Sequence, residues 1–164
     1  MGIKIIFLDI DGVLNTYYTT VQTSNNITFV DDKKVKILKD IIDLTGAKIV
    51  LSSTWRIGWR YFELGQRDGS VVQDFIELRE KLLEFGIELY DKTPILDQFM
   101  RRRGDEIQLY LDNSKDKIDG YVIIDDLGGE WLRPCSSHLL QTSGYKGLQE
   151  KHIKVVERIL NMEV

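Results

Sequence analysis

The chain has one cysteine, two prolines, two histidines and a single alanine among its 164 residues. A lone Cys135 excludes an intramolecular disulfide and fits a reducing interior. Without an obvious partner base it reads as a small apolar residue, not a nucleophile. Neither His138 nor His152 has metal-ligand spacing, so both are expected to be structural. No apolar run approaches the length needed to span a membrane. Lys4 lies inside the first apolar stretch with no cleavage-type segment behind it, which argues against a signal peptide. A cytoplasmic location is therefore expected. Positive charge is not in excess either: the formal net charge is −4. That argues against a globally basic nucleic-acid binder but leaves room for a local basic rim. There is no internal repeat, low-complexity tract or linker. One domain over residues 1–164 is expected, with a continuous hydrophobic core. Its 43% hydrophobic and 29% charged residues are ordinary for such a domain. The single Ala47 is a matter of composition, not mechanism.

What the chain does have is an apolar run, Ile5-Ile6-Phe7-Leu8, that ends in Asp9-Ile10-Asp11-Gly12. A buried strand has no structural use for a carboxylate at its end, because taking a charge out of water is costly unless something pairs with it. Side chains alternate along a strand, so Asp9 and Asp11 can point the same way from its carboxyl end. A metal ion is the usual partner for two carboxylates this close, and Gly12 permits the turn that leaves the strand. Ala47-Lys48-Ile49-Val50-Leu51 likewise ends in Ser52-Ser53-Thr54-Trp55-Arg56, and Tyr121-Val122-Ile123-Ile124 ends in Asp125-Asp126. Arg101-Arg102-Arg103 precedes an amphipathic helix between them. In open α/β sheets the carboxyl edge of the strands is where ligands bind. Carboxylates, hydroxyls and a guanidinium there are the parts of a metal-dependent phosphoryl-transfer site.

Strands alternate with helices throughout, which implies a parallel sheet with crossover helices. Strands are expected at Ile3–Leu8, Lys48–Leu51, Ile87–Tyr90, Tyr121–Ile124 and His138–Gln141. A helix capped by Asp31 or Asp32 carries Val35, Leu38, Ile41 and Ile42 inward and ends at Gly46. Asn15–Val30 reads as a loop or small hairpin over the site, and Arg56–Gly69 as a second irregular segment. Ser70 and Gln73 resemble a capping box opening a helix with Phe75, Leu78, Leu82 and Leu83 on its apolar face, closed by Gly86. A further helix runs from about Gly104 to Leu111, and a last one buries Ile153, Val156 and Leu160.

Phe7 to Asn15, Phe-Leu-Asp-Ile-Asp-Gly-Val-Leu-Asn, resembles the first motif of the haloacid dehalogenase (HAD) phosphohydrolase superfamily. Ser52 looks like its second motif and Asp125-Asp126 like its fourth. Leu51-Ser52-Ser53-Thr54-Trp55-Arg56, Arg103-Gly104-Asp105-Glu106-Ile107, Gln141-Thr142 and Gly147-Leu148 narrow the likeness to the HAD domains of "Swiss Army Knife" RNA repair proteins. Those are similar in turn to polynucleotide end phosphatases. The resemblance runs from Ile3 to about Leu160. It implies a three-layer Rossmann-like α/β fold with sheet order 5-4-1-2-3. No large cap insertion is visible after strand one or strand three, so the cap is minimal and the site open, as suits a macromolecular substrate.

With that fold, Asp9 is the expected nucleophile, forming an aspartyl-phosphate. Mg²⁺, which prefers oxygen ligands, would be held by Asp9, Asp125 and the backbone carbonyl of Asp11, with Asp126 holding a metal-bound water or orienting the loop. The Asp11 side chain would act as general acid and base. Ser52 and nearby N–H groups would hold a phosphate oxygen, with Ser53 beside it, and Arg103 would balance developing charge. Arg102 competes for that role, and Arg56 could grip the same phosphate bidentately. Trp55, Trp59, Tyr17 and Tyr18 could stack on a base, flank a phosphotyrosine, or pack on the sheet edge. The expected function is a Mg²⁺-dependent phosphomonoesterase, acting as a monomer on a polynucleotide end, a 3′-phosphate in particular. The alternatives are a phosphotyrosine phosphatase of the same fold and a non-catalytic HAD binding module.

Overall fold

Both faces of the first strand are apolar, so it can be stable only between two covering layers. The computed structural model, which describes residues 1–96 and 102–164, has that arrangement. Five strands form one parallel sheet: β1 (Ile3–Leu8), β2 (Lys48–Leu51), β3 (Leu89–Lys92), β4 (Ile118–Asp125) and β5 (Leu139–Gln141). Their spatial order is β3-β2-β1-β4-β5, the order implied by the resemblance read in the opposite direction. The helices are α1 (Asp32–Thr45), α2 (Arg56–Glu63), α3 (Ser70–Glu84), α4 (Arg103–Asn113) and α5 (His152–Leu160).

Alternation along β1 divides the core in two. Ile6 and Leu8 face a cluster that includes Val35, Leu38 and Ile41 of α1, Phe75, Leu78 and Leu82 of α3, and Val156 and Leu160 of α5. Ile5 and Phe7 face Ile107 of α4 together with Leu132 and Cys135. The result is a three-layer α/β sandwich. Among the described residues no helix is long and apolar enough to cross a membrane. Leu8 lies level with Leu51 on one side and Ile124 on the other. Asp9 and Ser52, each one step beyond its strand, and Asp125, the last residue of β4, are therefore neighbours by register.

Several boundaries differ from expectation. Arg56–Gly69 is not irregular: its first eight residues form α2. The Ser70–Gln73 capping box does not form; Gly69 is the N-cap of α3, and Gln73 Nε2 donates instead to the Arg67 carbonyl at 2.6 Å. β3 starts two residues later than expected, and β4 starts three earlier, at Ile118. The segment after β1 is a small hairpin closed by an antiparallel bridge between Gln22 and Thr28. Of the three consecutive arginines, Arg101 lies outside the described residues.

Candidate active site

The register that aligns the strand ends also concentrates negative charge. Asp9, Asp125 and Asp126 each offer a carboxylate oxygen within 4.8 Å of the other two, and Asp125 is fully buried. Gly12 makes part of this possible. Its φ of 80° is a left-handed turn, and a Cβ there would fall 2.3 Å from Asp126 Oδ2.

Arg103, the first residue of α4, answers the charge. Its Nη1 donates to Asp125 Oδ2 at 2.7 Å and lies 3.3 Å from Asp9 Oδ2. The second Asp125 oxygen accepts from the backbone N–H of Leu127 at 3.0 Å. Burial works against the Arg103 charge, but Asp9 and Asp125 outweigh it and hold the guanidinium above its ordinary pKa. Burial, then the charge of Asp125, push the Asp9 carboxyl up to about 8 against the opposing pull of Arg103. Burial and Asp125 raise Asp126 as well. Three carboxylates against one guanidinium leave the site short of positive charge, and every donor is a hard oxygen. That set fits a divalent cation of the Mg²⁺ type.

Asp11 is held apart from this cluster. Trp55 Nε1 donates to its Oδ2 at 3.1 Å, and Asn15 Nδ2 to its Oδ1 at 2.9 Å. Asn15 is itself fixed: its Oδ1 accepts from Gly12 N–H at 2.9 Å and its Nδ2 reaches the Phe29 carbonyl at 3.0 Å. The buried Thr142 hydroxyl donates to the Gly12 carbonyl at 2.7 Å, tying the end of β5 to the same loop. Asn15 and Trp55 were not assigned these roles from sequence. Asn15 closes the first motif and Trp55 follows the second, but only the fold shows that both reach one carboxylate.

Ser52 sits at the end of β2 with its N–H donated to the Leu8 carbonyl at 2.8 Å. Its hydroxyl is buried and has no hydrogen-bond partner among the described residues. A buried hydroxyl left unpaired costs about 1–3 kcal/mol, so this oxygen is suited to a ligand. Ser53 is engaged differently: its Oγ accepts from Trp55 N–H at 3.2 Å, and its carbonyl accepts from Arg56 Nη1 at 2.7 Å.

Arg56 does not present a free fork to a phosphate, contrary to expectation. Only 4% exposed, it also donates to the carbonyls of Thr93 at 3.2 Å and Pro94 at 3.3 Å and to Glu106 Oε2 at 2.7 Å. Four of its five donors are thus occupied by the protein. It is a strut joining the Ser53 turn to the end of β3 and to α4. Arg102 is the exposed N-cap of α4, its N–H donated to Asp105 Oδ2 at 3.0 Å, and it is Arg103 that meets the carboxylates. His138 stacks on Tyr121 with centroids 3.9 Å apart, and His152 Nδ1 accepts from Gln149 N–H at 2.9 Å. Both histidines serve packing and backbone.

Residues 5–153 match the model of a family described as the HAD domain in Swiss Army Knife RNA repair proteins. The match spans nearly the whole chain, which belongs to that family. No curated protein and no solved structure matches it.

Proposed function

We propose that this member of the HAD family is a Mg²⁺-dependent phosphomonoester hydrolase acting on a polynucleotide end, most fittingly a 3′-phosphate. The observation that carries the reading is the unpartnered Ser52 hydroxyl beside three clustered carboxylates and Arg103. A buried donor without an acceptor and a site short of positive charge together suit an anionic ligand that arrives with a cation. Membership in a family named for RNA repair supports the choice of a nucleic-acid substrate.

In this reading Asp9, Asp125 and the Asp11 carbonyl hold the cation, with Asp126 at its periphery. When bound, Mg²⁺ supplies charge that offsets the repulsion between a carboxylate and a phosphate. The remaining steps belong to the chain. A carboxylate oxygen of Asp9 attacks phosphorus, the ester P–O bond breaks, and Asp11 gives its proton to the departing oxygen. Asp11 then takes a proton from water as that water's oxygen attacks the same phosphorus. The bond from phosphorus to Asp9 breaks, inorganic phosphate leaves, and the Asp9 carboxylate is restored. Trp55 and Asn15 keep Asp11 aimed between the two half-reactions. Ser52 donates to a non-bridging oxygen, and Arg103 balances charge as it develops.

The test is phosphate release from a panel comprising a 3′-phosphorylated oligonucleotide, a 5′-phosphorylated one, a phosphotyrosine peptide, a mononucleotide and an aryl phosphate. Preference for the 3′-phosphorylated strand, abolished by excess chelator, is expected. Preference for the phosphotyrosine peptide would move the substrate to the protein class. Activity on none of them, with Mg²⁺ present, would leave a binding module. Asp11→Asn should lower turnover roughly a hundredfold or more, with the aryl phosphate suffering least because its leaving group needs little protonation. Because the Asp11 carbonyl is untouched, metal affinity should hardly change.

A further inference from the structure

Three tyrosines beside the carboxylates have no part in the chemistry above. Tyr17, Tyr18 and Tyr145 are 72%, 74% and 62% exposed, and exposed apolar surface gathered in one patch marks an interaction site. The rings are held in place. Tyr17 and Tyr145 meet edge to face with centroids 4.9 Å apart, and Tyr18 lies 6.3 Å from Tyr145. Tyr17 N–H donates to the Gly144 carbonyl at 2.9 Å. The Tyr17 ring is seated against Gly144, where a Cβ would come within 2.8 Å of it.

The patch joins two depressions. A cavity of about 280 Å³ is lined by Asp11, Gly12, Asn15, Thr16, Tyr17 and Asp126, so it runs from the Asp11 and Asp126 side of the site to the tyrosines. Thr16 also lines a larger groove of about 650 Å³, which takes in Tyr145 and the lysines Lys33, Lys34, Lys81 and Lys146. Asp31 and Asp32 share that groove but are engaged, Asp31 by the Thr19 hydroxyl and Asp32 by Lys81. Lys34 is spent on the carbonyls of Lys146 and Leu148. Among the described residues, Lys33 and Lys146 form no ion pair. The Asp11 and Asp126 rim of the site, an aromatic shelf and ammonium groups without an ion pair among the described residues thus follow one another along the surface.

We infer that this strip binds the single-stranded segment adjoining the scissile phosphate. A base next to the end stacks on Tyr17 and Tyr145, and the following phosphates run past Lys146 and Lys33. The inference rests on the phosphomonoesterase reading and adds to it the path of the strand. Aromatic shelves beside basic grooves take single strands because every base has a π-face and the backbone is a regular row of charge. A phosphotyrosine side chain would use the shelf but leave the lysine groove without a row of anions to meet. A duplex end would keep its bases stacked on one another.

The experiment measures binding of a fluorescent, 3′-phosphorylated single-stranded oligonucleotide by anisotropy, using the full chain with Asp9→Asn to prevent turnover. Adding Tyr145→Leu, which keeps bulk but removes the ring, should weaken binding roughly five- to hundredfold. Tyr145→Phe should restore most of it. Gly144→Ala keeps every ring and lysine but displaces Tyr17, and should weaken binding too. Lys146→Gln should lessen the slope of log affinity against log salt by about 0.7. With Asp9 intact, Tyr145→Leu should lower kcat/KM for the oligonucleotide relative to that for an aryl phosphate by a similar factor.

Strand binding indifferent to Tyr145→Leu and Lys146→Gln would overturn the inference, as would tighter binding of a blunt duplex or a phosphotyrosine peptide. If that indifference accompanies hydrolysis of the aryl phosphate, the path fails and the phosphomonoesterase stands. A chain that binds the strand through Tyr145 yet releases no phosphate keeps the path and loses the enzyme.

Discussion

Replacing Ser52 by alanine should make the protein more stable and less active at once. The hydroxyl is buried and unpaired, so in the free protein it carries a desolvation cost of about 1–3 kcal/mol with nothing in return. The backbone N–H bond to Leu8 survives the change. Removing one oxygen leaves a void of about 10 Å³, worth a few tenths of a kcal/mol at about 24 cal/mol per Å³. The net gain is then about 1–3 kcal/mol. For a domain of this size that raises the melting temperature by roughly 2–12 °C. The loss falls on the substrate side. A hydrogen bond to a charged oxygen is worth about 1.5–3 kcal/mol, so kcat/KM should drop about 10- to 150-fold. Thermal unfolding in phosphate-free buffer reads the first effect and steady-state phosphate release the second. Added inorganic phosphate should raise the melting temperature of the wild type more than that of Ser52→Ala. A variant that melts lower and turns over normally would refute the reasoning, because the hydroxyl would then belong to the internal hydrogen bonding of the fold.

Asp9→Asn should reduce turnover to background without unfolding the chain, since it removes one of three crowded negative charges; full activity would exclude Asp9 as the nucleophile. Glu106→Ala leaves the Arg56 charge buried and unpaired, which should cost about 3–5 kcal/mol, or roughly 6–20 °C in melting temperature. Arg56→Met combined with Glu106→Leu should recover much of that loss, and urea unfolding of the three variants checks it. Trp55→Phe removes the indole N–H from Asp11 and should lower turnover about tenfold or more, less on an aryl phosphate than on an alkyl ester. An equal loss on both would point to a packing defect instead.

The sheet and the clustering of polar residues at its strand ends were legible because their signals are local. Each of β1, β2 and β4 is an apolar run of strand length with a polar residue at its end, and periodicity finds such runs. α2 was missed for a physical reason. It lacks a side-chain cap, has Gly58 in its first turn, and is rich in aromatics, all of which read as loop. Its stability comes from outside. A Cβ on Gly58 would fall 2.3 Å from the Val71 carbonyl of α3, and Trp59 stacks on Phe75 with centroids 5.5 Å apart. The glycine that looks like a breaker is the point of closest helix approach, and a tertiary contact overrides weak local propensity.

Arg56 shows where reading by motif gives the wrong role to the right residue. An arginine four residues after a serine proposed to hold a phosphate is near enough in sequence to reach the same group, and nothing in the local sequence says otherwise. Its partner, Glu106, is 50 positions away, and the Trp55 to Asp11 bond spans 44. Contacts at such distances leave no periodic trace. Chemistry at a strand end is written in adjacent residues because one backbone turn positions them all. The supports that aim those residues come from other elements and appear only when the sheet order sets those elements side by side. Arg103 and Arg56 illustrate the split: both are arginines near the same crevice, yet one lies against the clustered carboxylates of Asp9 and Asp125 and the other braces three segments beneath them. Burial and partner count separate them, and neither is a property of the sequence around either residue.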